Sequence, residues 1–295
     1  MNLFRLLPAV SVAGLLLLGG CGDTAFDPFE EGTLNFSVFG FLDAGADTQF
    51  VRISTLRDSV ALSPGPIDAE VVLQETATGH TIGLRDSLFV FFQEGQDRRI
   101  AYNFWTPEPL EPGATYRLTV TRSDGAATRA EVTLPGALPD PVLFAEGTFL
   151  IPVRDWVQTI TVKAVERLAD VVVVLRFRDN DTPGQPLRML RMSYVERLRS
   201  IASGVSVTTD IYADLRHRLG TTGCPVVVEA TAVIAVAGPD WPDLTGIDDE
   251  TLALPGVVTN IEEGVGFLGG IASRTLPWPE LVGLMGAKQR DCAGL

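Results

Sequence analysis

The sequence has 295 residues, of which 37 are Asp or Glu and 23 are Lys or Arg, so its formal net charge at pH 7 is −14. An acidic chain repels phosphate backbones and anionic lipid headgroups, which argues against nucleic-acid binding and against electrostatic attachment to a membrane. The acidic residues are spread along the sequence, as is typical of a solvated surface. The length suits one large or two ordinary domains, and we favour two.

The first 20 residues are organised like a bacterial export signal. Arg5 supplies a positive start, and residues 6–18 form an apolar core that is interrupted only by Pro8. A helix of that length measures about 20 Å, which is too short to cross a hydrocarbon core of roughly 30 Å. The segment therefore predicts a cleaved signal peptide at residues 1–20.

A lipid attachment site follows directly. The apolar core runs into Leu18-Gly19-Gly20-Cys21, which matches the lipobox of bacterial lipoproteins. Acyl chains contribute about 0.8 kcal/mol per buried CH₂, so lipidation of Cys21 would anchor the protein permanently. The next residues, Gly22 and Asp23, place no aspartate directly after the cysteine, and by resemblance to Gram-negative lipoproteins this favours the outer membrane. We interpret residues 21–32 as a lipidated tether, with the periplasmic and the surface-facing orientation both open.

Two cysteines remain, Cys224 and Cys292. An even pair in an exported protein predicts a disulfide, with two buried free thiols as the alternative. The bond would close a loop of 69 residues, counted from 224 to 292 inclusive. On the chain-entropy model such a loop contributes about 4 kcal/mol. Neither cysteine has a histidine or a second cysteine at zinc-ligand spacing, so no zinc site is expected.

Residues 33–135 predict a β-sandwich of immunoglobulin-like or transthyretin-like type. Apolar residues alternate from the start, with Leu34, Phe36 and Val38 on one face and Val51 and Ile53 repeating the pattern. Further strands are predicted at residues 69–75, 82–84, 88–92, 100–105, 116–120 and 127–134. Pro-Gly at 112–113 and Ser-Asp-Gly at 123–125 are typical turn sequences.

Residues 142–295 predict a second β-rich domain with one short helix. Three prolines and a glycine at 135–141 indicate the connection between the domains. Strands are predicted at residues 159–165, 171–177, 187–195 and 225–237. Residues 210–219 have helical spacing, with Thr208 or Thr209 as the N-terminal cap and Gly220 as the end. A last short helix is indicated at residues 280–287.

No set of residues predicts catalysis, a cofactor or a metal site. The only histidines, His80 and His217, are interpreted as surface residues without partners for nucleophile activation. The acidic cluster at 248–250 is interpreted as an exposed loop, because adjacent carboxylates point apart. Residues 179–184 begin like a calcium loop, but Leu190 stands where the bidentate glutamate belongs, so a solvated hairpin turn is expected, with a looser calcium site as the alternative.

Tryptophans are the remaining candidates for binding. Each of Trp105, Trp156, Trp241 and Trp278 lies near a proline or an acidic residue. For any one of them we favour burial at a domain seam, with Trp105 and Trp241 as the candidate ligand-facing aromatics that would stack on a sugar ring. Exposure of both on one face would favour a glycan ligand.

The C-terminal segment 255–270 contains Asn260-Ile261, Gly264 and Gly266 before a glycine-rich strand. This segment, after a lipobox, a strand domain and the hairpin at 112–120, resembles the Bacteroidota lipoproteins grouped as domain of unknown function 4249. The order of features covers residues 21–273, and the arginine-rich stretch 188–199 departs from it. The plain structural interpretation of the signature is that Asn260 bonds to backbone while the two glycines relieve a bulge or a close approach.

The resemblance implies an envelope accessory protein, often encoded beside a TonB-dependent receptor, with no established activity and no catalytic residues to carry over. We therefore expect a non-enzymatic, lipid-anchored outer-membrane accessory or binding protein that works with a TonB-dependent transporter. The alternative is a glycan-binding surface lipoprotein of a polysaccharide-utilisation system. The expected partners are the membrane, an outer-membrane receptor, and a glycan or peptide ligand.

Overall fold

The computed structural model describes residues 34–56, 66–91, 99–138, 142–146, 157–180, 182, 184–220, 223–242 and 259–293. The predicted signal peptide, Cys21 and tether lie outside these ranges. The chain is mainly β, which confirms the predicted fold class. None of the helices in the described ranges combines the length and apolar character that a membrane span requires.

The first seven strands form most of a two-layered body. They are β1 (Phe36–Asp43), β2 (Gln49–Thr55), β3 (Glu70–Glu75), β4 (Thr81–Phe91), β5 (Arg99–Thr106), β6 (Thr115–Thr121) and β7 (Ala127–Thr133). The predicted strands at 82–84 and 88–92 are one strand, because β4 passes from one layer to the other. Residues 81–84 pair with β3, and residues 85–91 pair with β5.

The rest of the chain adds nine strands, two α-helices and a short 3-10 helix (Val195–Arg197) to the described part. The strands are β8 (Val142–Glu146), β9 (Val157–Lys163), β10 (Leu168–Arg178), β11 (Arg188–Ser193), β12 (Arg199–Ile201), β13 (Gly204–Thr209), β14 (Val226–Ala237), β15 (Ile261–Glu262) and β16 (Gly264–Pro277). The helices are α1 (Ile211–Leu219) and α2 (Pro279–Ala293). Strands β12, β13, β9 and β8 form a separate four-stranded sheet in that order.

Strand β16 belongs to both halves of the molecule. Its first part, from Gly264 to Ile271, pairs in parallel with β1, and its second part, from Ile271 to Pro277, pairs antiparallel with β14. The result is a 12-stranded sheet in the order β11-β10-β14-β16-β1-β2-β5-β4-β3-β6-β7-β15. Because β15 precedes β16 directly and pairs with β7, the first body is closed along that edge.

Two apolar cores lie on either side of β16. The first is built from residues 36–134 together with Ile261 and Leu268. The second is built from residues 160–285. The predicted domain bounds, 33–135 and 142–295, stay a prediction; they did not include the strand that the C-terminal segment contributes to the first core. Leu34, predicted to share the buried face of Phe36, is 49% exposed because it precedes the first strand pair.

Both helices differ from their predicted forms. The N-terminal cap of α1 is Asp210, whose carboxylate accepts a hydrogen bond from the Ala213 N–H at 3.0 Å. The predicted threonine caps are wrong, since the Thr209 hydroxyl donates instead to Asp214 at 2.6 Å. Gly220 ends the helix at φ 58°, as predicted. Helix α2, at Pro279–Ala293, is longer than the predicted residues 280–287.

Burial and a disulfide explain the length of α2. Leu281 and Met285 are almost completely buried in the second core. Cys224 and Cys292 form a disulfide with their Cα atoms 5.7 Å apart, as the cysteine count predicted. The last turn is therefore held against the start of β14, and it stays helical beyond the predicted end.

The Asn260 signature has the structural role that the sequence indicated. The side-chain amide of Asn260 donates to the Leu268 carbonyl at 2.7 Å and accepts from the Leu268 N–H at 3.0 Å. The chain between them turns through Glu263, which has a φ of 54°. At Gly266, where φ is 112°, an added Cβ would lie 2.1 Å from the Val38 carbonyl oxygen. The glycine thus permits the close approach of β16 to β1.

Candidate binding surface

The outer side of the first layer exposes large aromatic side chains. Alternation along β1 buries Phe36, Val38 and Leu42 in the core and points the residues between them to solvent. Phe39 is 51% exposed and Phe41 is 52% exposed, while Phe50 on β2 is 47% exposed. Side chains of this size are normally buried, and a contiguous exposed group of them marks an interaction site.

The strand register brings these aromatics into a line. Phe41 pairs with Gly269 on one side and with Phe50 on the other. Phe50 pairs with Trp105, and Trp105 pairs with Arg85. The Arg85 guanidinium lies 5.6 Å from the centroid of the Trp105 ring, in a cation–π contact. We call Trp241, Phe41, Phe50 and Trp105 the aromatic row.

Trp241 completes the row at the β16 end. An added Cβ on Gly269 would lie 2.5 Å from Cζ3 of Trp241, so the indole occupies the space that the glycine leaves open. The indole also meets the Phe267 ring edge-on, with centroids 5.6 Å apart. The Thr133 N–H donates to the Asp240 carboxylate at 2.8 Å, and Arg167 donates to the Trp241 carbonyl. These bonds fix the loop that carries the indole.

A second line of residues runs beside the first and is more polar. Phe39 pairs with Phe267 and with Arg52, and Arg52 pairs with Asn103. Ser87 on β4 continues the line opposite Asn103. Adjacent strands lie about 4.8 Å apart, so the five strands β16, β1, β2, β5 and β4 give a platform about 19 Å wide. Rings and hydrogen-bonding groups thus lie side by side on it.

The structure places both candidate ligand-facing tryptophans on one face of the sheet. Trp105 and Trp241 are each partly exposed and lie at opposite ends of the same row. Trp278 is completely buried in the second core, and Trp156 lies outside the described residues. Sequence reasoning missed Phe39, Phe41 and Phe50. The signal was present in β1, where aromatic residues occupy both faces of a strand that needs only one apolar face.

Apart from the aromatic row, a polar cavity of about 450 Å³ lies between β11 and α1. Arg197 donates to the Asp214 carboxylate at 2.8 and 3.1 Å, and its guanidinium stacks 5.6 Å from the Tyr194 centroid. Burial raises the pKa of Tyr194, and the nearby Asp214 charge adds to that rise. Burial also raises the pKa of Asp214, but hydrogen bonds from Arg197 and Thr209 outweigh it and hold the pKa below its usual range. These groups bind one another and form a structural cluster.

The other candidate residues are placed as surface features. His80 is exposed and lies 2.6 Å from Glu108, and His217 is exposed on α1. Asp179 pairs with Arg188 at 2.7 Å in the hairpin between β10 and β11, where a calcium loop was rejected. Residues 248–250 lie outside the described residues. In the described part of the chain, no three His, Cys, Asp or Glu side chains are arranged to hold a metal ion.

Comparison of the chain with protein-family models and with curated protein sequences finds no match. The resemblance to the envelope lipoprotein family therefore depends on the motifs alone.

Proposed function

We propose that this protein is a lipid-anchored binding protein of the bacterial outer membrane that holds glycan chains on its aromatic row. The observation that carries the proposal is the shared row of Trp105 and Trp241, which are separated by more than 130 positions in the sequence, as 241 minus 105 is 136. Fold and register, rather than sequence proximity, align them.

The chemistry of the platform suits sugars. Pyranose rings have C–H-rich faces that stack on aromatic rings, and hydroxyl groups at their edges that need hydrogen-bond partners. The row supplies the rings, and Arg52, Asn103 and Ser87 supply polar groups one residue pair away. The aromatic residues are Phe and Trp, so ring faces rather than phenol hydroxyls make the contact.

A second candidate function is an accessory to a TonB-dependent transporter, in which the same face contacts a protein. The exposed apolar residues Phe39, Phe41 and Phe50 support it, since a contiguous apolar patch also suits protein contact. A crosslinked pull-down of the full lipidated protein from native membranes separates the two. An outer-membrane receptor as the dominant partner supports the accessory role, and recovery of the protein alone argues against it.

The glycan proposal is tested with the full protein in detergent micelles on a glycan array. Stacking of a planar ring on an aromatic side chain is worth about 1–3 kcal/mol in the analogous case of bases, so Phe41→Ala or Trp105→Ala should weaken binding at least about fivefold each. Met189→Ala is the matched control, because Met189 is 67% exposed but lies on another strand, β11. Unchanged glycan binding by both row variants would refute the proposal.

A further inference from the structure

The exposed charges on the platform are of one sign. Among its exposed outward-facing residues whose side chains are described, the charged ones are Arg52 on β2 and Arg85 on β4. Asp43 at the end of β1 is only 8% exposed, and its carboxylate accepts hydrogen bonds from Gly45 and Ser273. Alternation points Asp86 to the other side of β4, and Asp240 at the rim accepts the Thr133 N–H. A chain with a net charge of −14 therefore presents a positive patch at its aromatic platform.

The register leaves these two arginines without acidic neighbours on adjacent strands. Elsewhere the sheet sets arginine opposite glutamate, as at Arg117 and Glu131, 2.8 Å apart. Arg52 instead lies between Phe39 and Asn103, and Arg85 lies opposite Trp105. No ion pair to either guanidinium occurs within the described residues, and the Arg85 guanidinium lies over the Trp105 ring.

The spacing of the two arginines fits one extended ligand. They are two strands and two residue positions apart, which is about 12 Å, with Trp105 and Asn103 on the strand between them. A ring stacked near Trp105 would have a guanidinium on either side. Arginine binds planar carboxylates through two parallel hydrogen bonds and an ion pair, and neutral sugar hydroxyls lack the opposite charge.

We infer that the platform selects acidic glycans, whose uronic acid carboxylates bind Arg52 and Arg85 while the sugar rings stack on the aromatic row. This inference rests on the proposed glycan-binding function and adds the charge class of the ligand. It commits to carboxylated polysaccharides over neutral ones, on the basis of charge complementarity between the ligand and the two arginines.

The test uses the full protein in detergent micelles with three acidic polysaccharides: polygalacturonate, alginate and hyaluronate. Each is compared with its carboxyl-reduced form, which keeps the backbone and replaces every carboxylate with a hydroxymethyl group. Affinity is measured by titration calorimetry at two salt concentrations. We expect at least one acidic polymer to bind about tenfold or more tightly than its reduced form, with the difference shrinking at high salt.

Single substitutions then distinguish recognition of the carboxylates from stacking of the sugar rings. Arg52→Gln and Arg85→Gln should each weaken binding of the acidic polymer about tenfold, as expected for one charge-assisted contact each, and should weaken binding of the reduced polymer much less, so that the preference for the acidic polymer shrinks. Arg176→Gln is the matched control, since Arg176 is an exposed strand arginine paired with Glu229.

The outcomes are distinguishable. Equal binding of acidic and reduced polymers, or no binding of any acidic polymer, overturns the inference about charge. If reduced polymers still bind and Trp105→Ala weakens them, the glycan-binding function survives that failure. If no polymer responds to loss of Phe41 or Trp105, both the inference and the proposed function fail.

Discussion

Replacing Gly269 with alanine should remove Trp241 from the aromatic row. The new methyl group would lie 2.5 Å from Cζ3 of Trp241 and 2.9 Å from Cε1 of Phe267, well inside van der Waals contact. Gly269 does not have a positive φ, so the substitution introduces a steric conflict without backbone strain. Overpacking of this kind costs about 1–3 kcal/mol when neighbours cannot move. Trp241 lies in a loop, so we expect it to move and the cost to be near the lower limit.

The assay combines fluorescence and binding. Subtracting the emission of a Trp241→Phe variant from that of its parent isolates the Trp241 signal, and this difference should shift to longer wavelength in the Gly269→Ala background. Glycan affinity should fall about as far as it does in Trp241→Ala. Gly83→Ala on β4 is the control, because an added Cβ there meets nothing within 4 Å. Unchanged Trp241 emission and affinity in Gly269→Ala would refute the placement of the indole on Gly269.

Three further predictions concern stability. Replacing both Cys224 and Cys292 with alanine should lower the free energy of unfolding by about 4 kcal/mol, measured by urea titration under non-reducing conditions. A loss below about 1 kcal/mol would contradict stabilisation by loop closure. Asn260→Ala should cost about 2 kcal/mol, because two hydrogen bonds to Leu268 are lost, and a neutral result would show that water replaces them. The pKa of Asp214 is lower in the folded protein than its unfolded value of about 3.9, so its pairing with Arg197 stabilises the fold above that pH. This stabilisation is lost as the pH falls through the folded pKa. The melting temperature should therefore decline less on acidification in Asp214→Asn than in wild type.

The strands were predicted well because the alternation of apolar residues that marks a strand is visible within a few neighbouring residues. Alternation identified the buried residues of β1, β2 and β6, and glycine identified turns such as that at Gly113, where φ is 80°. The end of α1 at Gly220 was predicted for the same reason. The N-terminal cap was misassigned, since Thr208, Thr209 and Asp210 are all capable acceptors and only the chain direction into the helix selects the aspartate.

Long-range pairing was beyond the sequence patterns. Nothing near β1 indicates that its parallel neighbour begins at Gly264, and the register that aligns Phe41, Phe50 and Trp105 depends on that pairing and on two hairpins. Predicting Trp105 and Trp241 required only their local composition. Predicting that they share a row required the tertiary structure.

The shared strand β16 also imposes an order on biosynthesis. Phe36 pairs with Gly264, so the first strand to leave the ribosome lacks its parallel neighbour until 228 more residues have followed, as 264 minus 36 gives. Until then β1 has an open edge with aromatic side chains on both faces, which is the kind of segment that associates with other unfinished chains. The first sandwich is therefore completed late, and because this pairing joins residues far apart in the sequence, we expect it to form slowly. A nascent chain truncated just before β16 should need a holding chaperone, even though every other strand of that sandwich is already present.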